Sequence, residues 1–505
     1  MPRKPARGGF PTRSRQQAAA VSKATQTATL TGPRTTGHSW NVIKYLAGGG
    51  VPLEVQDRIL VYAPLRRAAF VANSGAVNFL AGLQAGAADP AADPDGSLVE
   101  FLRRLEILDG GSEIQPITTF SGDPEPTTVT LFLTTACNLR CTYCYASAGD
   151  TPLRNMSMEV ARRGIDFVAR NAARKKSPSF EIAYHGGGEP SMNWPVLTGS
   201  FDYAKGLGAE MGLSVRAAAA TNGVLSDARI DWILAHLEGV TISWDGMPSA
   251  HDAHRLTVLG QGSSGQVMHT IRRLDQARFD YGLRVTVTRD QIANLPDSVE
   301  FICSQFGTEY IQVEPAYQLG RWRGAPSAET DEYIAAYREA QARASRYGRR
   351  IRFSAARLGL LTNHFCGITQ DSFCLSPDGN VSACYECFSE DNPQAGTFFY
   401  GKPDAGNGGY KFQLPVLNNL RHQAVQHRAY CQGCFAKWTC AGDCYHKSLT
   451  IHGEPEFAGS DRCHITRELT KDQILDKIAS AGGLFWHEPA GAPESSRAAG
   501  KEMLL

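Results

Sequence analysis

The chain has 505 residues, 51 Lys plus Arg against 50 Asp plus Glu, and thirteen cysteines. This length exceeds one ordinary hydrophobic core, so two or three domains are expected, and the balanced charge argues against a nucleic-acid or anionic-membrane partner. Because no apolar segment lies near Met1 and no run approaches the ~18 residues of a membrane span, we expect the reducing cytoplasm, where clustered cysteines indicate metal ligands.

Residues 1–38 predict a disordered basic tail. They contain Arg, Lys, Ser, Thr, Gln and Ala but no acidic residue, and such a segment buries too little apolar surface to offset its ordering entropy. An organellar transit peptide is the alternative, because transit peptides are also rich in Arg and poor in acids. At the other end, residues 488–505 are rich in Ala, Gly, Pro and Ser and predict a second disordered tail.

Residues 39–120 predict a small N-terminal α+β domain. Two apolar runs, residues 59–62 and 68–72, indicate strands around a turn at residues 64–67. Apolar residues at helical spacing then predict helices at residues 76–83 and 98–108. A linker rich in Pro, Asp and Glu follows at residues 121–127.

Three cysteines directly follow the apolar run 129–133. Cys137, Cys141 and Cys144 form a C-x₃-C-x₂-C motif. Thiolates at this spacing can hold three irons of a cubane and leave the fourth iron without a protein ligand. A zinc knuckle is the alternative, although structural zinc normally takes four closed ligands in paired C-x₂-C units.

This motif, with the aromatic Tyr143 before its third cysteine, resembles that of the radical S-adenosylmethionine (radical SAM) enzymes. The resemblance implies that Cys137, Cys141 and Cys144 hold a catalytic 4Fe-4S cluster and that SAM chelates the open iron through its amine and carboxylate. It further implies that the reduced cluster cleaves SAM to a 5′-deoxyadenosyl radical. The cofactors then supply the difficult chemical step, and the protein directs it.

From residue 121 to about 350, short apolar runs alternate with helical patterns. This alternation predicts parallel βαβ units, and six of them match the partial (β/α)₆ barrel of the radical SAM fold, with the active site at the carboxyl ends of the strands. The predicted strands are residues 128–134, 180–184, 214–219, 240–243, 283–288 and 310–313. Helices are expected to begin near Ser157, Pro195, Asp227, Gln266, Pro296 and Glu329.

Polar and glycine residues follow these predicted strands. Gly187, Gly188 and Glu189 resemble the family's GGE motif, which implies that they grip the methionine amine of SAM. Residues 251–255 resemble its H-D-x-x-R motif, whose Arg255 is expected to reach the SAM carboxylate. Ser243 is a candidate ribose or carboxylate contact. For each polar residue, capping of its own loop is the alternative, and His185 is equally compatible with a supporting role.

The last third of the chain is rich in cysteine, with nine of the thirteen between Cys366 and Cys463. The spacing resembles the SPASM extension of radical SAM enzymes, expected here at residues 351–487. The resemblance implies two auxiliary 4Fe-4S clusters with four thiolates each. The first set is Cys366, Cys374, Cys384 and Cys444, and the second is Cys431, Cys434, Cys440 and Cys463.

Four thiolates close each auxiliary cluster, so we expect these clusters to move electrons rather than bind substrate. A zinc ribbon is the alternative, because C-x₂-C pairs also bind zinc. Two cysteines lie outside both sets. Cys303 is expected to be a buried thiol in an apolar helix. Cys387 is expected to be a spare thiol, although it lies near enough to Cys384 in sequence to compete as a ligand.

Together these patterns predict a radical SAM/SPASM enzyme that abstracts hydrogen from a ribosomally made peptide and oxidises it, for example by cross-linking. A flavodoxin or ferredoxin is the expected reductant. The order of elements in residues 39–120 resembles the PqqD-like winged-helix modules that bind leader peptides, although a simple cap is the alternative. Sulfatase maturation is disfavoured, because the anaerobic sulfatase-maturing enzymes place a catalytic aspartate where this chain has Tyr385.

Two other functions remain open at this point. The first keeps the radical chemistry but changes the substrate to a small molecule or a protein-derived cofactor. The second is an iron–sulfur electron carrier that does not cleave SAM, which the intact GGE-like and H-D-x-x-R-like motifs argue against.

Overall fold

The computed structural model describes residues 41–44, 59–109, 113–322, 330–406, 408–453 and 457–488. Its chain forms two compact units, the first comprising residues 1–114, 433–435 and 477–490 and the second the remaining residues. The predicted disordered tails lie outside the described residues, except for Glu488. None of the described helices is both long and apolar enough to cross a bilayer.

The first unit contains an antiparallel sheet and two helices. Three strands are consecutive in the chain: β1 (Asn41–Lys44), β2 (Ile59–Ala63) and β3 (Ala68–Ala72). Helices α1 (Ser74–Gln84) and α2 (Ser97–Arg104) follow. Their core contains Val61, Phe70, Leu80 and Leu102, all buried.

The strands and helices predicted for this region are present, but α2 ends earlier than expected. Glu106 adopts a left-handed conformation with φ of 57°, and the amides of residues 107 and 108 turn back to the Leu102 carbonyl at 2.9 and 3.3 Å. A backbone with this geometry cannot continue as an α-helix.

The first unit also contains a strand that the sequence did not predict. Residues Phe485–His487 pair antiparallel with β3 as the fourth strand of the sheet. Phe485 packs edge-on against Phe101 with 5.5 Å between ring centroids, and the Arg104 guanidinium lies 5.1 Å from its ring centroid. The far end of the chain therefore completes this sheet.

The second unit is built on an α/β architecture with a central parallel sheet. All six predicted strands are present and parallel, and a short seventh strand extends them. They are β4 (Thr128–Phe132), β5 (Ser179–His185), β6 (Ser214–Thr221), β7 (Gly239–Ser243), β8 (Tyr281–Val287), β9 (Tyr310–Pro315) and β10 (Ile351–Arg352). Their order in the sheet is their order in the chain, from β4 to β10.

Helices alternate with these strands as the apolar spacing predicted, and one additional short helix, α6, precedes residue 255. They are α3 (Met158–Arg174), α4 (Trp194–Met211), α5 (Asp227–His236), α6 (Pro248–His254), α7 (Ser264–Ala277), α8 (Leu295–Gln305) and α9 (Thr330–Ser345). The Ser157 side chain caps α3 by accepting the Val160 amide at 3.3 Å. Because all six long strands are parallel, their carboxyl ends and the loops that follow share one edge of the sheet.

The cysteine-rich region extends the same sheet beyond β4. Its strands are β11 (Cys374–Leu375), β12 (Val381–Ser382), β13 (Phe399–Pro403) and β14 (Tyr410–Phe412), and β15 is the Phe485–His487 strand of the first unit. Its helices are α10 (Ala395–Phe398), α11 (Leu414–Arg421), α12 (Lys437–Cys440), α13 (Tyr445–His452) and α14 (Asp461–Ser480). β11 runs parallel to β4 and pairs Cys374 with Thr130.

Candidate active site

The three cysteines of the C-x₃-C-x₂-C motif lie in the loop that directly follows β4. The end of α6 and the residues just after it hold the backbone of this loop in place. The Arg140 amide donates to the Leu256 carbonyl at 2.6 Å, and the Thr142 amide donates to the His254 carbonyl at 3.0 Å. All three cysteines are free, partly exposed thiols.

Burial disfavours the thiolate form of two of these cysteines, Cys137 and Cys141. The pKa of Cys137 is raised to about 12, mainly by burial and then by Glu189 and the two neighbouring thiols. Burial raises the pKa of Cys141 to about 11. Bound metal cations would stabilise all three thiolates together, so this donor set fits an iron–sulfur cluster.

The arrangement is not that of a mononuclear site. Across the described residues, no three Cys, His, Asp or Glu side chains converge as the ligands of one metal ion do. A cubane does not require such convergence, because each thiolate binds its own iron.

The glycine loop after β5 packs directly on the start of the cysteine loop. A Cβ atom on Gly188 would lie 2.1 Å from the Ala136 carbonyl oxygen, and one on Gly187 would lie 2.1 Å from the Phe388 ring. The Glu189 amide donates to the same Ala136 carbonyl at 2.8 Å. Gly188 is therefore required for the close approach of these two loops, and Gly187 for the close approach of the Phe388 ring.

The Glu189 carboxylate is buried beside the cysteine loop. It accepts hydrogen bonds from the Thr221 hydroxyl at 2.8 Å and from the amides of Asn222 and Ser191 at 2.8 and 3.1 Å. Burial raises its pKa. The Asn222 side-chain amide donates to Cys137 Sγ at 3.7 Å. The structure thus brings the GGE-like loop and the end of β6 together at Cys137, and contact of Glu189 with the SAM amine stays a prediction.

A buried ion pair that the sequence did not reveal lies on the other side of the cysteine loop. Asp245, two residues after β7, accepts from Arg255 Nε at 2.9 Å, from the Thr286 amide at 3.0 Å and from the Tyr143 hydroxyl. Arg255 Nη1 lies 4.0 Å from Cys141 Sγ. Arg255 therefore already has a carboxylate partner in the protein, and its predicted contact with the SAM carboxylate stays a prediction.

The remaining polar residues of this region have structural partners or a half-buried position. His251 Nε2 lies 3.0 Å from the Ser263 hydroxyl, and burial lowers the pKa of His251 to about 4. His254 Nδ1 lies 2.8 Å from the Thr142 hydroxyl and so links α6 to the cysteine loop. Ser243 is the half-buried last residue of β7.

Of the four thiols predicted to hold the first auxiliary cluster, Cys366 acts electrostatically on the other three. Burial raises the pKa values of Cys374, Cys384 and Cys444. The Cys366 thiol raises each of these pKa values further. Cys374 is fully buried. This donor set also fits a cluster, because several buried thiolates need nearby cations.

Assembly of the second set, with Cys431, Cys434, Cys440 and Cys463, stays a prediction. Of the two cysteines outside both sets, Cys387 is fully buried, and burial raises its pKa to about 12. Cys303 is also buried, in α8.

Polar side chains near the cysteine loop form a group that the sequence did not reveal, although His185 and Tyr385 were each noted there singly. The Tyr145 hydroxyl donates to the Gly186 carbonyl at 2.8 Å, and His185 stacks on Tyr385 with 5.2 Å between ring centroids. We call this set the interior cluster, with the members Tyr145, His185, Arg284, Tyr385, Glu386, His446 and Lys447. Tyr385 and Glu386 directly follow Cys384, and His446 and Lys447 come two and three positions after Cys444, a closeness in sequence that could have drawn attention to them.

Comparison with known proteins agrees with this site. Residues 131–302 match the radical SAM superfamily. A serine-type anaerobic sulfatase-maturating enzyme of Klebsiella aerogenes is 28% identical over 192 residues, which cover 37% of this chain and 45% of that enzyme. A Fe-coproporphyrin III synthase of Methanosarcina barkeri is 29% identical over 182 residues, covering 35% of this chain and 41% of that enzyme. The matched region thus spans less than half the length of these relatives.

Solved structures share the fold. The structure described as native anSMEcpe with bound AdoMet and Cp18Cys peptide superposes with a TM-score of 0.53 at 16% identity, covering 70% of this chain and 99% of that one. At this identity the likeness concerns the fold alone. The sequence match, the central parallel sheet and the cysteine loop at its carboxyl edge lead to one conclusion: residues 131–302 form a radical SAM domain.

Proposed function

We propose that this chain is a radical SAM maturase that abstracts hydrogen from a ribosomally made peptide and leaves it oxidised, as in a cross-link. The observation that carries the proposal is the contact between the cysteine loop and the glycine loop. The amide of Glu189 donates to the Ala136 carbonyl, one residue before Cys137, and a Cβ atom on Gly188 would collide with the same oxygen. A carboxylate and an open-iron motif are thereby held side by side at the carboxyl edge of the sheet.

The residues of this edge have separate tasks in the proposal. Cys137, Cys141 and Cys144 would hold a 4Fe-4S cluster, which together with bound SAM supplies the 5′-deoxyadenosyl radical. Glu189 presents a buried acceptor for the SAM ammonium. Asp245 binds both Tyr143 of the cysteine loop and Arg255, and so would hold this loop in place from within the protein.

The SPASM-like region would supply the route for the second electron of an oxidation. Cys366, Cys374, Cys384 and Cys444 would hold one closed 4Fe-4S cluster, and the second cysteine set another. Closed clusters can accept an electron from a substrate radical but have no free iron for SAM. A flavodoxin or ferredoxin would deliver the electron that starts each turnover.

Two arguments favour a peptide over a small molecule. The sulfatase-maturating relative acts, by its name, on a protein, and the structural neighbour was solved with a bound peptide. In addition, β1 is an end strand of the first unit's sheet as far as the described residues show. A leader peptide can add to such an edge strand through main-chain hydrogen bonds while the rest of the precursor remains free to react.

The test uses the full chain, reconstituted anaerobically with iron, sulfide and SAM, together with precursor peptides encoded in neighbouring open reading frames. We expect 5′-deoxyadenosine and a peptide that has lost two hydrogens. A variant with Cys137, Cys141 and Cys144 all replaced by Ala should retain about eight irons per chain, by two-cluster arithmetic, and form neither product. SAM cleavage by that triple variant after reduction with dithionite contradicts the assignment.

One observation favours a second candidate. The Fe-coproporphyrin III synthase relative acts on a porphyrin by its name, so a small-molecule substrate keeps the same radical chemistry. Turnover that couples to a small molecule and leaves every candidate peptide unmodified would select this candidate. Complete absence of SAM cleavage by the reconstituted full chain would instead favour the third function, an iron–sulfur electron carrier.

A further inference from the structure

Arg284 points into the interior of the second unit from the middle of β8. Its neighbours Leu283 and Val285 are fully buried on the opposite face of the strand, whereas Arg284 is half-buried and pairs in register with Ser243 at the end of β7. Its guanidinium makes no hydrogen bond or ion pair with any residue that the structure describes.

The acidic groups near Arg284 are held by other cations. Glu386 lies 2.8 Å from His446 Nδ1 and 3.7 Å from Lys447 Nζ. Glu314, at the carboxyl end of β9, lies 3.1 Å from Arg462. Each carboxylate therefore has its own partner, and the five donors of Arg284 remain available.

Arg284 also acts electrostatically on two members of the interior cluster. Burial and then Arg284 lower the pKa of His185 to about 4. Burial raises the pKa of Glu386. Lys447, His446 and Arg284 outweigh this effect and lower the pKa of Glu386 to about 2. Arg284 thus lies within electrostatic reach of the glycine loop on one side and the SPASM-like region on the other.

A second unused polar atom belongs to the same cluster. The Nδ1 atom of His185 is buried without a hydrogen-bond partner among the described residues. Its ring is held in place by stacking on Tyr385. A buried polar atom without a partner is costly, and a ligand that supplies a hydrogen-bonding group removes that cost.

We infer that Arg284 binds a carboxylate of the substrate inside the barrel, with His185 beside it. This inference rests on the proposed function. A guanidinium fork matches a carboxylate with two parallel hydrogen bonds, which fixes both the position and the orientation of the bound group. The carboxylate is that of an Asp or Glu side chain or that of a peptide C-terminus. Arg284 is in this view a specificity residue that places the neighbouring substrate atoms near the cysteine loop.

The experiment uses three pools of synthetic dodecapeptides of neutral residues. The first pool has one internal Glu and an amidated C-terminus, the second has a free C-terminal carboxylate and no other acid, and the third has neither. Retention on the SAM-loaded, reconstituted full chain is measured by mass spectrometry. We expect one acidic pool to be retained at least about tenfold over the third pool, and the pool that is retained identifies the source of the carboxylate.

Substitutions then assign the preference to Arg284. Arg284→Gln should abolish it and Arg284→Lys should keep part of it, because a lysine retains the charge without the fork. The matched control is Arg216→Gln on β6, whose guanidinium is already held by Glu238 at 2.9 Å and Glu181 at 3.0 Å, and it should keep the full preference.

Three results overturn the inference. The first is that the unsubstituted protein retains acidic and neutral peptides equally. The second is that Arg284→Gln keeps the full preference for acidic peptides, and the third is that Arg284→Gln raises the Michaelis constant for SAM while its peptide preference is unchanged. SAM cleavage is recorded on the same samples. Its absence in the unsubstituted protein counts against the proposed function, whereas intact cleavage without acidic preference counts against the Arg284 inference alone.

Discussion

Asp245 illustrates how single residues hold the candidate site together. It accepts hydrogen bonds from three parts of the chain: the cysteine loop, the backbone of β8 and the residue after α6. Its side chain and that of Arg255 are 3% and 7% exposed, so water cannot replace either partner. The loss of one charge would leave the other buried without compensation.

We therefore expect Asp245→Asn to lower the free energy of unfolding by about 3 kcal/mol, the usual scale for breaking one side of a buried ion pair. Urea unfolding of the cluster-free protein, followed by tryptophan fluorescence, measures this change, and the buried Trp244 is the adjacent residue. The matched control is Asp231→Asn, which breaks an exposed pair with Arg273 and should cost less than about 1 kcal/mol. Equal losses in the two variants would contradict a special role for Asp245.

The glycine loop gives a second prediction at this scale. In Gly188→Ala the new methyl group would meet a backbone oxygen at 2.1 Å, so the two loops must separate. The iron content should fall from about twelve to about eight atoms per chain, because one four-iron cluster is lost. Formation of 5′-deoxyadenosine should be lost with it. Gly206→Ala in α4 is the control, because nothing lies within 4 Å of its Cβ position, and iron content should not change. Full cluster loading in Gly188→Ala would show that the close approach is not needed.

At the scale of elements, β15 changes how the N-terminal sheet must be studied. This strand pairs with β3, and Trp486 within it is buried. Removal of the entire N-terminal region would leave Phe485 and Trp486 without their sheet partner and would confuse folding with recognition. A smaller deletion that removes only an end strand is the better test of leader binding.

Two deletions differ by β1 alone. Removal of residues 1–44 eliminates β1 (Asn41–Lys44), whereas removal of residues 1–40 keeps it. If a leader adds to β1, the longer deletion should weaken precursor affinity at least about tenfold, roughly 1.4 kcal/mol. The shorter deletion should bind as the full chain does, and SAM cleavage serves as the folding control for both. Equal precursor affinity of the two truncated proteins, measured by fluorescence anisotropy, would remove β1 from the recognition model.

At the scale of the whole molecule, the SPASM-like region is part of the barrel sheet through β11. Cys374 pairs with Thr130 on β4, the strand that leads directly into the cysteine loop. A cluster held by Cys374 would therefore be supported by the same strand as the SAM-cleaving cluster. This connection supports an auxiliary cluster that serves the substrate radical.

Cys374→Ala should accordingly separate SAM cleavage from product formation. We expect iron to fall from about twelve to about eight per chain, 5′-deoxyadenosine formation to persist, and modified product to be lost. Cys303→Ala is the control, because Cys303 is a buried thiol in α8 outside both predicted cysteine sets; its iron content and product yield should not change. Normal product yield from a Cys374→Ala protein shown to lack one cluster would refute the electron-transfer role.

Several features of the fold and site followed from local sequence. The parallel strands were predictable because each is an apolar run with helical spacing between successive runs, and the sheet confirms all six. The cysteine loop was predictable because three thiols within a few residues can hold a cluster that keeps one iron open. The glycine loop was recognisable because close backbone approach excludes other residues, as the contact of Gly188 with Ala136 illustrates.

Tertiary structure alone decided the partners of these elements. Three findings depend on residues that are far apart in the chain. Arg255 pairs with Asp245, and Phe485–His487 pairs with β3 in the N-terminal sheet. Arg284 keeps its donors available. Local periodicity indicates which side of a strand is buried, but not which charge from another strand arrives there. Apolar spacing and metal-ligand spacing act over a few residues, so the sequence by itself determines them, whereas ion pairing and sheet completion depend on how the chain closes on itself.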